Sequence, residues 1–130
     1  MDKSAILKGF NNQFEEFLED IEALFPENND IRTSKSGLTM LRKANPKMVI
    51  SVWYRYICQK YEVEIEAENL EYFLEKDYAE DLKMDQQAAK KVLDGIDKIR
   101  TPLRHLDESN KKKSIQYLKN LNQLSKIYYS

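Results

Sequence analysis

The sequence predicts an all-α fold: a compact bundle of five or six helices around a central apolar helix at about residues 46–61, in one domain spanning 1–130. Three observations predict it. Apolar residues recur at steps of three and four along most of the chain, the signature of helices buried on one face. Only three glycines and three prolines occur in 130 residues, too few turns for a barrel. Residues 45–61 are apolar or aromatic nearly all round, with Lys47, Ser51, Arg55 and Gln59 forming one narrow polar seam every four residues.

Along residues 4–25, Leu7, Phe10, Phe14, Phe17, Ile21 and Leu24 make an amphipathic helix, widened by Ile6, Leu18 and Phe25. Its far side carries Glu15, Glu16, Glu19, Asp20 and Glu22. Pro26 and the turn-forming Asn28-Asn29-Asp30 stop it. A second, weaker helix over 31–44 turns Leu38 and Leu41 inward, with Gly37 near its start as a weak point. Asn45 can then cap the central helix and Pro46 occupy its first turn.

Beyond Tyr61, Glu62-Val63-Glu64-Ile65-Glu66 alternates with period two and, lacking a partner strand, reads as an extended connector. A short helix follows over 70–78 with Tyr72, Phe73 and Leu74. From about Asp85 to Leu106 the spacing of Ala89, Val92, Ile96, Ile99, Leu103 and Leu106 gives a long helix, where Pro102 predicts a kink or break near Arg100. Asp107 caps a last helix over 108–128, whose expected buried arc is Ile115, Leu118, Leu121, Leu124 and Ile127.

The net charge of −1 hides a block pattern: −6 over residues 1–30, +7 over 31–60, −8 over 61–88 and +6 over 89–130. Residues 31–60 contain no carboxylate at all. One reading is that acidic and basic segments lie side by side in the fold, each surface pair contributing at most about 1 kcal/mol. The other is an anion-binding surface made by Arg32, Lys35, Arg42, Lys43, Lys47 and Arg55, with Lys60 beside them. Trp53, Tyr54 and Tyr56 interleave with those cations as stacking platforms do, although a tryptophan in so apolar a helix belongs to the core. A sequence pI near 5.9 also argues against a dedicated nucleic-acid binder. Lys111, Lys112, Lys113 and Lys119 form a second basic patch, read as a solvated face.

Chemistry finds little to use. The lone histidine, His105, has no identifiable nucleophile, and the single Cys58 reads as a buried thiol in a reducing compartment. One cysteine and one histidine do not make a common zinc site, and Gly9, Gly37 and Gly95 do not make a phosphate loop. Asp77, Asp81 and Asp85, four apart with Glu80 nearby, are the best candidates for a hard cation but match no calcium-loop spacing. No apolar run is long enough to span a membrane, and Met1-Asp2-Lys3-Ser4 does not open like a signal peptide.

Several phrases together carry a resemblance. They are Phe14-Glu15-Glu16-Phe17-Leu18-Glu19-Asp20-Ile21 leading to Phe25-Pro26 and Asp30-Ile31; Asn45-Pro46-Lys47 before the tryptophan helix; Phe73-Leu74-Glu75-Lys76-Asp77-Tyr78; and Tyr117-Leu118-Lys119-Asn120-Leu121 through Leu124-Ser125. In that order the chain resembles a group of small proteins of nucleocytoplasmic large DNA viruses of algae and protists. The resemblance implies a setting in the cytoplasm or nucleus of an infected cell, or in the virion, and brings no activity, ligand or catalytic residue.

By elimination the expected function is a non-enzymatic intracellular binding module making protein–protein contacts, self-association among them, in viral assembly or host interference. The alternative is nucleic-acid binding through residues 31–60. No cofactor, metal, membrane or small-molecule substrate is expected.

Overall fold

The first helix, α1 (Lys3–Leu24), starts where Asp2 accepts a hydrogen bond from the Ser4 N–H at 3.0 Å, satisfying one of the donors a helix start leaves open. A computed structural model of the chain describes residues 2–69, 71 and 87–130. After the turn at Pro26, Asn28 caps α2 (Asn29–Ala44) by accepting from the Ile31 N–H at 3.1 Å. A continuous helical run follows as α3 (Met48–Val52), a π-helical segment (Trp53–Cys58) and α4 (Gln59–Glu66), with helical dihedrals at both junctions. Then come α5 (Gln87–Leu103) and α6 (Glu108–Tyr128), the latter capped by Asp107 through the Asn110 N–H at 2.8 Å. There is no strand among the described residues, and the fold is the expected all-α bundle. None of the helices described is long and apolar enough to cross a membrane.

The broadest interfaces pair α1 with α6 and α2 with α5, while the run from Met48 to Glu66 touches all four of those helices. One hydrophobic cluster draws on every described helix. Trp53, 1% exposed, meets Phe10 and Phe14 in T-shaped contacts at centroid distances of 6.3 and 6.0 Å. Such edge-to-face contacts add to the area that the three rings bury.

Five expectations change. The tryptophan helix is longer and less regular than the 46–61 reading. Asn45 ends α2, Pro46 and Lys47 form a turn in which Asn45 Oδ1 accepts from the Lys47 N–H, and the helix starts at Met48. Its middle is π-wound, the Gln59 N–H reaching back five residues to the Tyr54 carbonyl.

Residues 62–66, expected as an extended connector, are helical. Tyr61 and Ile65, four apart, are both 2% exposed while Val63 is 77% exposed, so burial follows the helical period and not the alternation.

Pro102 does not break α5 near Arg100; the helix runs on to Leu103 and ends one residue past the proline. A proline so close to the end costs only the last turn. Leu106 lies beyond that end and is still buried.

The buried arc of α6 is rotated: Ser114, Leu118, Leu121, Asn122, Ser125 and Tyr128 are buried, whereas Ile115, Leu124 and Ile127 are only partly so. The rotation brings Asn122 Oδ1 to accept from Trp53 Nε1 at 2.8 Å in the core. Similarly Leu24, expected inside, is 42% exposed at the end of α1. The short helix expected over 70–78 and the carboxylates Glu80, Asp77, Asp81 and Asp85 lie outside the described residues, apart from Glu71.

Candidate protein-contact groove

Two cations of the basic block 31–60 are engaged by the neighbouring helix α1. On α2, Lys35 and Arg42 turn toward α1: Lys35 Nζ pairs with Glu22 at 3.4 Å, and Arg42 Nε stands 3.5 Å from Glu15 without hydrogen-bond geometry. Thr39 Oγ1 donates to the same Glu15 carboxylate at 2.9 Å. Arg32 donates to the Pro26 carbonyl at 2.7 Å, closing the α1–α2 turn. Lys43, Lys47 and Arg55 are exposed, with no side-chain partner among the described residues.

Four ion pairs join acidic blocks to basic ones. Acids of the first block meet bases of the second through Glu22–Lys35 and Glu15–Arg42. Acids of the third meet bases of the fourth through Glu68–Lys119 at 3.1 Å and Glu62–Lys126. These pairs are of the side-by-side kind that the sequence allowed.

Turning Lys35, Thr39 and Arg42 toward α1 sends the opposite edge of α2 toward α5. There Thr33, Gly37, Met40 and Ala44 form one lip of a groove, Leu38 and Leu41 its floor, and Lys91, Asp94 and Lys98 the other lip. Its volume is about 480 Å³, the largest among the concavities described. The two helices approach closely because Gly95 has no side chain: a Cβ there would lie 3.1 to 3.3 Å from three Leu38 side-chain carbons. Gly37 is the opposite case, since a Cβ added to it would meet nothing within 4 Å. Met40 stands at the groove mouth, 70% exposed.

A second cleft, between α1 and α6, is polar. Gln116 Nε2 donates to Asn120 Oδ1 at 2.9 Å, Asn120 Nδ2 to Gln13 Oε1 at 3.1 Å, and Gln13 Nε2 to Glu16 Oε2 at 3.3 Å. Beside this chain the Tyr117 hydroxyl donates to Asp20 at 2.7 Å, and the ring stacks on Phe17 at 5.1 Å. Burial first, and then the Asp20 carboxylate, push the Tyr117 phenol far above its usual range, so it stays a donor. These groups satisfy one another across the α1–α6 interface. Their arrangement fastens two helices together.

Among the described residues, Cys58 and His105 stand apart from one another's chemistry. Cys58 is buried, with its Sγ 3.8 Å from the Asn122 carbonyl; burial raises its pKa more than the neighbouring Ser125 hydroxyl lowers it, so the thiol stays protonated. His105 is exposed just past the end of α5. No cluster of three or more His, Cys, Asp or Glu able to hold a metal occurs among the described residues.

Sequence reasoning missed Gly37, Met40, Lys91 and Lys98 as a set. Gly37 registered only as a weak point of a helix, yet Thr33, Gly37, Met40 and Ala44 follow the three/four spacing of one edge. Compared with family models, curated proteins and solved structures, the chain matches none.

Proposed function

We propose that this chain is a non-enzymatic binding module whose product is a protein–protein contact, made by seating an amphipathic helix of a partner in the α2/α5 groove. The carrying observation is Met40, an apolar side chain left in solvent at the edge of a concave apolar floor. Scattered exposed apolar residues need no explanation, but one that rims an apolar concavity between two helices offers a third helix both shape and burial. The small side at Gly37 lets that helix come close. The viral resemblance supplies the setting of this reading, assembly or interference with the host in the cytoplasm, nucleus or virion.

The test uses a helical peptide with a leucine stripe on an otherwise uncharged background, titrated by fluorescence polarisation. Wild-type protein is expected to bind it, and Gly37→Leu, which fills the groove while favouring the helix, to weaken binding at least about tenfold, equivalent to about 1.4 kcal/mol. Binding untouched by Gly37→Leu would put the contact elsewhere. A parallel titration with single-stranded DNA at two salt concentrations addresses the rival. Steeply salt-dependent binding that is lost on replacing Lys43, Lys47 and Arg55 by Glu would favour nucleic-acid recognition instead.

A further inference from the structure

From the two unequal lips of the groove we infer the charge pattern of its occupant: a helix of a different protein that carries, along one flank of its apolar stripe, an acid, a base and an acid at one-turn steps. This rests on the groove reading above. The α2 lip, Thr33, Gly37, Met40 and Ala44, has no charge, whereas the α5 lip presents Lys91, Asp94 and Lys98. Steps of three and four residues put these three on one side of α5, the two lysines two turns and about 10.5 Å apart. Both lysines are exposed and Asp94 is half-buried, and none closes an ion pair among the described residues. Lys91 and Lys98 thus stand at the edge of an apolar floor.

A helix lying in the groove buries its stripe on Leu38, Leu41 and Met40 and brings one flank against this row. A carboxylate opposite each lysine and a cation opposite Asp94 is the attractive arrangement, and the reverse sets three like charges face to face. Because only one lip is charged, the row also fixes which flank of the incoming helix faces α5. Nowhere along the sequence do an acid, a base and an acid follow one another at steps of three or four, so a second copy does not supply the match.

Three peptides share the same leucine stripe: one uncharged, one with a Glu-Lys-Glu flank, and one with Lys-Glu-Lys. Fluorescence polarisation at low salt is expected to rank Glu-Lys-Glu tightest and Lys-Glu-Lys about tenfold weaker. Combining Lys91→Glu, Asp94→Lys and Lys98→Glu is expected to invert that order and leave the uncharged peptide unchanged. Equal binding of both charged peptides, or an order that survives the triple reversal, overturns the charge pattern; binding of the uncharged peptide then still upholds the groove. If no peptide binds a protein with intact helical circular dichroism, pattern and groove both fail. Light scattering that shows concentration-dependent dimers disrupted by Gly37→Leu would instead make a second copy the occupant, against this inference.

Discussion

Asn122 and Trp53 show how one buried polar contact sets the orientation of a whole helix. The indole N–H of Trp53 has no access to water, and its acceptor is the amide oxygen of Asn122, itself 1% exposed. Leaving a buried donor without an acceptor costs more than an ordinary hydrogen bond contributes. Asn122→Ala is therefore expected to destabilise by about 1 to 3 kcal/mol, read as a lower urea midpoint at unchanged m-value. Trp53→Phe in the Asn122→Ala background should cost less than the sum of the single changes, because the orphaned donor disappears with the indole. This contact also explains what the sequence hid. The bounds of α6 were legible from the Asp107 cap and the unbroken leucine spacing, but its buried arc was not. A leucine count favours Ile115 and Leu124, while the fold turns Asn122 and Ser125 inward to meet a side chain 69 positions away.

At the scale of elements, the two glycines of the α2/α5 pair make opposite demands. Gly37 has room for a methyl group and sits inside a helix, where glycine is the weaker choice. Gly37→Ala should stabilise by about 0.5 to 1 kcal/mol. Gly95→Ala brings the same helical preference but drives a Cβ against Leu38, which is buried and held by the core. It is expected to fall below Gly37→Ala by at least about 1 kcal/mol in thermal melts, since overpacking a filled site displaces its neighbours. Melts that rank the two equally would mean that the helices part without cost. The stretch 62–66 shows a similar limit on reading one element at a time. Val63 and Ile65 fit a strand by alternation, and only the burial of Tyr61 and Ile65 together reveals the helical period. A groove is harder still, because it belongs to two helices that the sequence places more than forty residues apart.

For the molecule as a whole, the single hydrophobic cluster shared by all the described helices predicts one cooperative transition. The lone tryptophan sits against rings of α1 and the amide of α6. Its fluorescence should therefore change at the same urea concentration as the far-ultraviolet circular dichroism that reports every helix. Two separated midpoints would mean that some helices leave the cluster independently. Fold class and composition agreed across the chain because the same three/four spacing recurs in each long helix. The distribution of charge was legible as blocks, but their partners were not, since spacing along the chain does not say which blocks become neighbours. The alternation of acidic and basic blocks also bears on synthesis. A ribosome makes each acidic stretch ahead of a basic one, so the running charge of the nascent protein returns to within one unit of zero at residue 60 and again at residue 130.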